Sequence, residues 1–573
     1  MHLNNMATRK KYIQRAITVI LVLTGINIAA AYFHGRWDLT AEKRYTLTAN
    51  TRQMLQHLDG PVDVEVYLKG DYPASFRQLA QATSELLEEF REYGKQNFHF
   101  TFVSPTQGKS DSARMQLMQE LTKQGIMPFN LKVQREANEG YEGQLIFPGA
   151  LVHYKGKTIG VNLLKNLGSQ DPMQTMNNSE ALLEYQFANA ISKLREKEKP
   201  LVGYMLGHGE TLGAEVYDAL TTLQNNYGLD TLTLQASAYI PHDFEVILFA
   251  KPSSAFSDAD KLKIDQYVMN GGKVLWFIDE STASMDSLHH GAEMFAMDRG
   301  LNLEDLLFRY GVRINQDLVM DMQCDGVPLV VGNTGNRPQI QMMPFPYFPL
   351  LMPTKAHPIV KNLDMVLSHF VSSIDTIKSE SVRKTILLTS SRNSRTTRLP
   401  AQIGWDVVKT QPNPREYRQQ YLPAAVLLEG RFSSLFHNRQ DPALVDALQQ
   451  ASGKPFKDIS DGQNKMIVVS DGDLIANAVA RKEGPLQMGI NEFNQGFAFA
   501  NKEFFLNCLE YLSGNSGIME ARNKELTLRL LDPEKIRQEK TKWQAICFLV
   551  PVGLILLFAM IFQFIRQRRF AER

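Results

Sequence analysis

Cysteine is scarce in this sequence: three occur in 573 residues, and Cys547 falls in an apolar segment, leaving Cys324 and Cys508 as the only pair that could meet in a water-soluble domain. That excludes a disulfide framework and makes a cysteine-bound zinc site or cluster improbable. No Cys-x-x-Cys occurs, so thiol redox chemistry has no residue to carry it. Charge of one sign is also missing. The 62 basic residues against 61 acidic ones leave a formal net charge of +1, so no global field draws the chain to nucleic acid. A phosphate-binding loop is incomplete: Gly156-Lys157-Thr158 is present, but the position of the required first glycine is Leu151. The tripeptide reads as a hairpin turn, and ATP hydrolysis falls to a different chain. Internal repeats and long low-complexity tracts are absent.

What is present begins with two apolar runs. Ala16 to Phe33 carries no charge and follows Arg9, Lys10, Lys11 and Arg15. Ala545 to Phe562 precedes Arg566, Arg568, Arg569 and Arg573. Each approaches the length that crosses a bilayer, and the interior Pro551 is tolerated in a span. The basic outer flanks place both termini in the cytoplasm by the positive-inside rule, and everything between them outside, which in a Gram-negative cell is the periplasm. The expected layout is a tail (1–11), a transmembrane helix (12–34), a second transmembrane helix (543–565) and a tail (566–573) in the inner membrane. A cleavable leader is the alternative reading of the first run. Small or polar residues in the runs, Gly25, Asn27 and Gly553, are of the kind that let membrane helices pack closely.

A chain of 573 residues exceeds what one hydrophobic core supports, and between the runs the pattern divides. Residues 35–170 read as a small α/β domain: an alternating strand at Val62 to Leu68, a helical spacing from Pro73 to Gly94, a strand at Phe98 to Val103, and a hairpin ending near Leu163. A thioredoxin-like sandwich is expected. Residues 177–199 read as a linker helix with Ser179 as its N-cap. In residues 200–530, buried strands at Leu201 to Leu206, Val246 to Ala250, Val274 to Ile278 and Lys465 to Ser470 alternate with amphipathic helices, which implies a doubly wound parallel sheet. Residues 301–460 lose this pattern and read as an insertion. Within it, Met342 to Pro349 interleaves prolines with aromatics and reads as an exposed docking segment or as a loop packed on its own domain.

Candidate site residues stand where an open α/β sheet places its ligand crevice, at the carboxyl ends of strands. Gly207, His208, Gly209 and Glu210 form the best placed turn; imidazole beside carboxylate can bind metal or move a proton. The competing reading is a structural turn, its glycines in unusual torsions and Glu210 capping the next helix. Asp279, Asp471 and Asp473 also follow buried strands and could converge with His208 on one sheet edge, though acidic residues there are common helix caps. No cofactor is expected.

The ordered set RYTLTANTRQMLQHLDGPVDVEVYLKGDYPASFRQL, LVGYMLGHGE, SDADKLKIDQYVMNGGKVLWFIDE and KMIVVSDGDLI resembles the GldG family, the gliding-motility-associated ABC transporter auxiliary components of Bacteroidetes. The resemblance implies partnership with a multi-span GldF-like permease and a cytoplasmic GldA-like ATPase. The second domain also resembles the glutamine-amidotransferase-like α/β fold, in which a nucleophilic cysteine follows a central strand. Asp279-Glu280 stand there instead, so the resemblance implies a non-catalytic auxiliary subunit that binds a partner or substrate. A membrane-anchored periplasmic hydrolase using the Gly-His-Gly-Glu turn is the runner-up, and a structural envelope protein the third reading.

Overall fold

The computed structural model describes residues 14–27, 46–523 and 533–570, apart from 71, 106–110, 127, 134–141, 166–171, 197, 292, 335–336, 356, 410–411, 440, 492, 494–497 and 515. Met1–Glu525 forms one unit and Leu526–Arg573 a second.

The first part of the larger unit is a four-stranded sheet. Strands β1 (Val62–Val66) and β2 (Phe98–Phe102) run parallel, and β1 continues antiparallel into β3 (Gly149–Tyr154) and β4 (Lys157–Asn162). Helix α1 (Ala74–Gly94) supplies Phe76, Leu79, Leu87 and Phe90 to the core beneath it. The turn from β3 to β4 is Lys155-Gly156, both at positive φ (47° and 78°), the signature of a type I′ hairpin. The incomplete phosphate-loop motif is therefore the hairpin it was read as.

Helix α2 (Pro172–Arg195) replaces the expected linker at 177–199. Ser179 is not its N-cap. It lies two turns inside, where its hydroxyl donates to the Thr175 carbonyl (2.7 Å) and accepts from the Lys165 amide (2.9 Å). Two faces of α2 are apolar. Leu183, Phe187, Ala188, Ile191 and Leu194 enter the core of the small sheet, whereas Leu182 and Tyr185 enter that of the next domain.

That domain is organised by a ten-stranded sheet. Its parallel half holds β5 (Leu201–Leu206), β6 (Gly228–Thr233), β7 (Val246–Ala250), β8 (Lys273–Phe277) and, from far along the chain, β13 (Asn464–Val469), in the spatial order β6-β5-β7-β8-β13. The expected parallel sheet is thus right for five strands and stops there. Beyond β13 the sheet turns antiparallel through β12 (Pro423–Gly430), β11 (Val382–Thr389), β10 (Arg337–Pro353) and β9 (Cys324–Thr334). Residues 301–460, expected as an insertion, supply these four strands. Their sequence lacks the strand–helix alternation because antiparallel neighbours need no crossover helix.

The central strands bury both faces, and alternate residues serve two cores. Tyr204, Leu248, Leu275, Phe277, Ile467 and Val469 pack on one side with Phe504, Phe505, Cys508 and Leu509 of helix α4 (Asn501–Leu512). Ile247, Phe249, Val274, Trp276, Met466 and Val468 pack on the other with Ile264, Tyr267 and Val268 of α3 (Asp258–Met269). Phe249 and Trp276 stack with centroids 4.0 Å apart. Ser257 caps α3, its hydroxyl accepting from the Asp260 amide (3.2 Å).

Two further expectations change. The proline-aromatic segment Met342 to Pro349 is not an exposed docking loop: it lies in β10, with Phe345, Tyr347 and Phe348 buried against Phe370. Its prolines are accommodated because the β9–β10 register shifts between Cys324 and Gly326, which face Pro349 and Pro344. The pair of flanking membrane helices is corrected to one among the described residues. Glu539–Arg568, inside a helix that runs Pro533–Phe570 through Pro551, is long and apolar enough to cross a membrane. The amino-terminal helix is described only over Gln14–Asn27. At ~1.5 Å per residue that is about 21 Å, short of the ~30 Å hydrocarbon core, and residues 28–34 of the expected span lie outside the described residues.

The contact of α2 with α4 centres on Glu510, whose buried carboxylate takes hydrogen bonds from Lys193 Nζ (2.7 Å), Asn189 Nδ2 (2.7 Å) and the Tyr185 hydroxyl. Lys193 and its neighbours hold this carboxyl below its ordinary range against the effect of burial. Replacing Glu510 with alanine strands the ammonium and the phenol, so Glu510→Ala should lower unfolding stability by about 3–5 kcal/mol. The double change Lys193→Met with Glu510→Met should cost clearly less. Denaturant titration of the three proteins checks the order, and equal losses would show that the carboxylate is not what the contact depends on.

Candidate functional site

The strand order β6-β5-β7-β8-β13 reverses direction between β5 and β7, the position at which an open α/β sheet opens a crevice. The Gly207–Glu210 turn leaves β5 there. Gly207 and Gly209 hold φ of 121° and 74°, and a side chain on Gly209 would collide with Ser253 Oγ. His208 is fully buried instead of facing the crevice. Its ring stacks on Phe256 (centroids 3.8 Å, 10° between planes), Nε2 lies 3.3 Å from Asp260, and its carbonyl accepts from the amides of Ser253 (2.8 Å) and Ser254 (2.9 Å). Glu210 does not cap the next helix. It turns back so that its carboxylate accepts from the His208 amide (2.7 Å), with its other oxygen 3.7 Å from Nδ1. The turn is a lock that fills the crevice with its own imidazole.

Asp279, Asp471 and Asp473 do meet. Carboxylate oxygens of all three lie within 4.8 Å of one another, beyond the ends of β8 and β13. No hydrogen bond or ion pair joins His208 to them among the described residues. The trio is organised by Lys251, which stands at the end of β7. Its ammonium pairs with Asp473 and lies 3.4 Å from Asp279 Oδ2. Asp279 Oδ1 accepts from the Gly472 amide (2.5 Å), and Asp471 accepts from the amides of His369 (2.8 Å) and Asp473 (2.7 Å). Gly472 has no room for a side chain, because a Cβ there would meet Lys251 Cγ at 2.7 Å. Lys251 itself holds φ of 56°, a left-handed conformation uncommon for a lysine and of the kind concentrated at functional sites.

Electrostatics follow the geometry. Burial raises the carboxyls of Asp279 and Asp471 above the ordinary range. Burial acts the same way on Asp473, but Lys251 outweighs it and Asp473 stays below that range. Burial opposes the charge on Lys251, and Asp473 and Asp279 more than restore it, raising its value. The ammonium already supplies the positive charge that an all-carboxylate trio would otherwise take from a metal ion. Lys251 and Asp473 line a cleft of about 210 Å³ with His369, Phe348, Asn477 and Asn491. This cleft sets fixed charges beside an aromatic ring, a combination suited to holding a polar group.

Sequence reasoning missed Lys251 and His369. Lys251 carries the same signal as the aspartates, a polar residue directly after a buried strand, whereas His369 comes from the irregular region around β10 and has none. Gly25 and Gly553 have no neighbouring atoms within 4 Å of where a side chain would begin. Asn27 donates to the Leu23 carbonyl one turn back (3.0 Å), so its amide is satisfied within its own helix. Cys324 and Cys508 are unpaired, and burial pushes the Cys324 thiol up to about 12.

A family model described as an ABC-type uncharacterized transport system matches residues 199–508, more than half of the chain. A second model, described as a domain of unknown function, matches residues 41–153. No curated protein matches. Among solved structures, the mmIFT52 N-terminal domain aligns over 55% of this chain and 97% of its own at 11% identity with a TM-score of 0.31. Exo-beta-1,4-mannosidase Op5Man5 from Opitutaceae bacterium strain TAV5 aligns over 81% of this chain and 52% of its own at 10% identity, with a TM-score of 0.21. Scores this low carry no argument about fold or function.

The lock at His208 has a pH signature. Burial alone would lower the imidazole, but Asp260 and Glu210 outweigh it and raise its value from 6.5 to about 9. A group raised in the folded state contributes stability that is complete below its unfolded value and disappears as pH rises through its folded one. The wild-type protein should therefore lose about 3 kcal/mol between pH 6.5 and pH 9.5 that a His208→Gln variant does not lose. Denaturant titrations of both at the two pH values measure the difference, and parallel pH profiles would show that the ring is not held as a cation.

Proposed function

Since the chain belongs to a family of auxiliary components of ABC-type transport systems, we propose that it is a non-catalytic, membrane-anchored subunit of a transporter of the gliding-motility type. Its α/β body stands in the periplasm, and it partners a GldF-like permease and a GldA-like ATPase. The observation that carries this reading is family membership across the sheet that builds the candidate site, in a chain that also has an apolar helix at Glu539–Arg568. The cleft at Lys251 and Asp473 is the recess for a partner or substrate. Its chemistry supports binding over turnover: the lysine is held charged between two carboxylates and is no nucleophile, and the Cys324 thiol is far from ionising. The alternative of a hydrolase acting through the Gly-His-Gly-Glu turn loses support because the imidazole is sealed from solvent.

Gly25, Asn27 and Gly553 belong to this proposal as residues that pack on the helices of the permease. With Asn27 satisfied by Leu23, the small residues are the better part of that argument.

Purification of the tagged protein in mild detergent should recover a multi-span permease and an ATPase, identified by mass spectrometry, and nucleotide hydrolysis should reside in the ATPase alone. Hydrolysis by the isolated chain, abolished by Glu210→Gln, would promote the enzyme instead. Reporter fusions at Arg573 and near Gly430 should report opposite compartments. A cytoplasmic signal at Gly430 would overturn the periplasmic placement.

A further inference from the structure

A second group of acids lies apart from the Lys251 cleft and has a different charge balance. Glu280 follows β8 and Asp279. The residue is only 6% exposed, and its Oε1 has no hydrogen-bond partner. Asp298 and Glu304 come from the chain after strand Glu293–Ala296, and one carboxylate oxygen from each of the three acids lies within 4.8 Å of the others. Asp298 is fixed in place, its oxygens accepting from the Gly300 amide (2.8 Å) and from Gln316 Nε2 (2.6 Å).

Among the described residues no lysine or arginine is ion-paired with Glu280, Asp298 or Glu304. Arg299 is the adjacent cation; its guanidinium donates to the Ser281 carbonyl (2.7 Å) and leans 3.9 Å from Asp279, while its Nε has no hydrogen-bond partner. Burial, with Asp298 and Glu304 adding to it, pushes the Glu280 carboxyl up to about 8. Arg299 offsets this only in part, so three carboxylates this close, one of them largely buried, still favour a further cation. Glu280 and Glu304 line an open cleft of about 820 Å³, so a small ion reaches them from solvent.

We propose that Glu280, Asp298 and Glu304 form a binding site for a hard divalent cation, for which calcium is the probe. The donors are all oxygen, which suits calcium and magnesium and disfavours zinc. An ion held by one oxygen from each of the three acids completes its shell with water from the cleft. Bound there, the ion ties the chain at Asp298 to Glu304 onto the end of β8.

The test uses the full chain in mild detergent, stripped with a chelator and titrated with calcium chloride by calorimetry. One saturable site is expected, with a dissociation constant on the order of 10⁻⁴ M, as in extracellular calcium modules. Calcium should also raise the melting temperature. Glu280→Gln should weaken binding at least tenfold and abolish the calcium-dependent rise, while melting no lower than the wild type in the chelator. Glu304→Gln, at an exposed position that cannot compromise folding, should weaken binding severalfold. The assignment is overturned if millimolar calcium gives no saturable heat, if both variants bind like the wild type, or if Asp471→Asn rather than Glu280→Gln removes binding. None of these outcomes depends on whether a permease and ATPase co-purify.

Discussion

Burial of the central strands on both faces is the constraint on which everything else in the larger domain depends. Once Leu248, Phe249, Leu275, Trp276, Ile467 and Val468 are committed to cores above and below, the sheet can present polar chemistry only where its strands end. Every charged residue of the candidate site obeys this: Lys251, Asp279, Asp471 and Asp473 all stand within a few residues of a strand's carboxyl end. The same rule places His208, but there the crevice is closed by an imidazole stacked on Phe256, and the polar opening moves two strands along.

Charge compensation then separates otherwise similar groups of acids. The aspartates near β13 share Lys251, and their protonation equilibria divide accordingly, with the pair partner kept ionised and the other two pushed toward neutrality. His208 is compensated in the opposite sense, a potential cation between two carboxylates. Glu280 has only the partial compensation of Arg299. In an interior where an unpaired charge costs several kcal/mol, that difference is more informative than the count of acids at either place.

Legibility in the sequence followed periodicity and failed where periodicity was ambiguous. The parallel strands could be read because each is a short apolar run followed by a helical pattern, and the aspartates could be located from those runs. Among the antiparallel strands, β11 and β12 are legible as short apolar runs near Ile386 to Leu388 and Ala425 to Leu428, but without crossover helices nothing assigns them to the same sheet, and β10 is crowded with prolines that normally argue against a strand. Ser179 was misplaced for a related reason: a serine before an apolar run looks like a cap, and only the fold reveals that the helix has already begun at Pro172. The role of Glu210 depended on a backward turn that no spacing rule encodes. Lys251 could have been found by the logic applied to the aspartates, whereas His369 reaches Asp471 only through tertiary structure.

Helix α2 has a mechanical consequence. A chain of separate domains joined by a flexible segment behaves as beads on a string, and force on one bead is lost in the slack before it reaches the next. Here Phe187 and Ile191 are built into one core and Tyr185 into another, with Glu510 clamping the helix from the second side. Slack has no place to accumulate across that joint. A pull applied to the small sheet would reach the ten-stranded sheet as a lever stroke, with its amplitude set by the stiffness of a single α-helix.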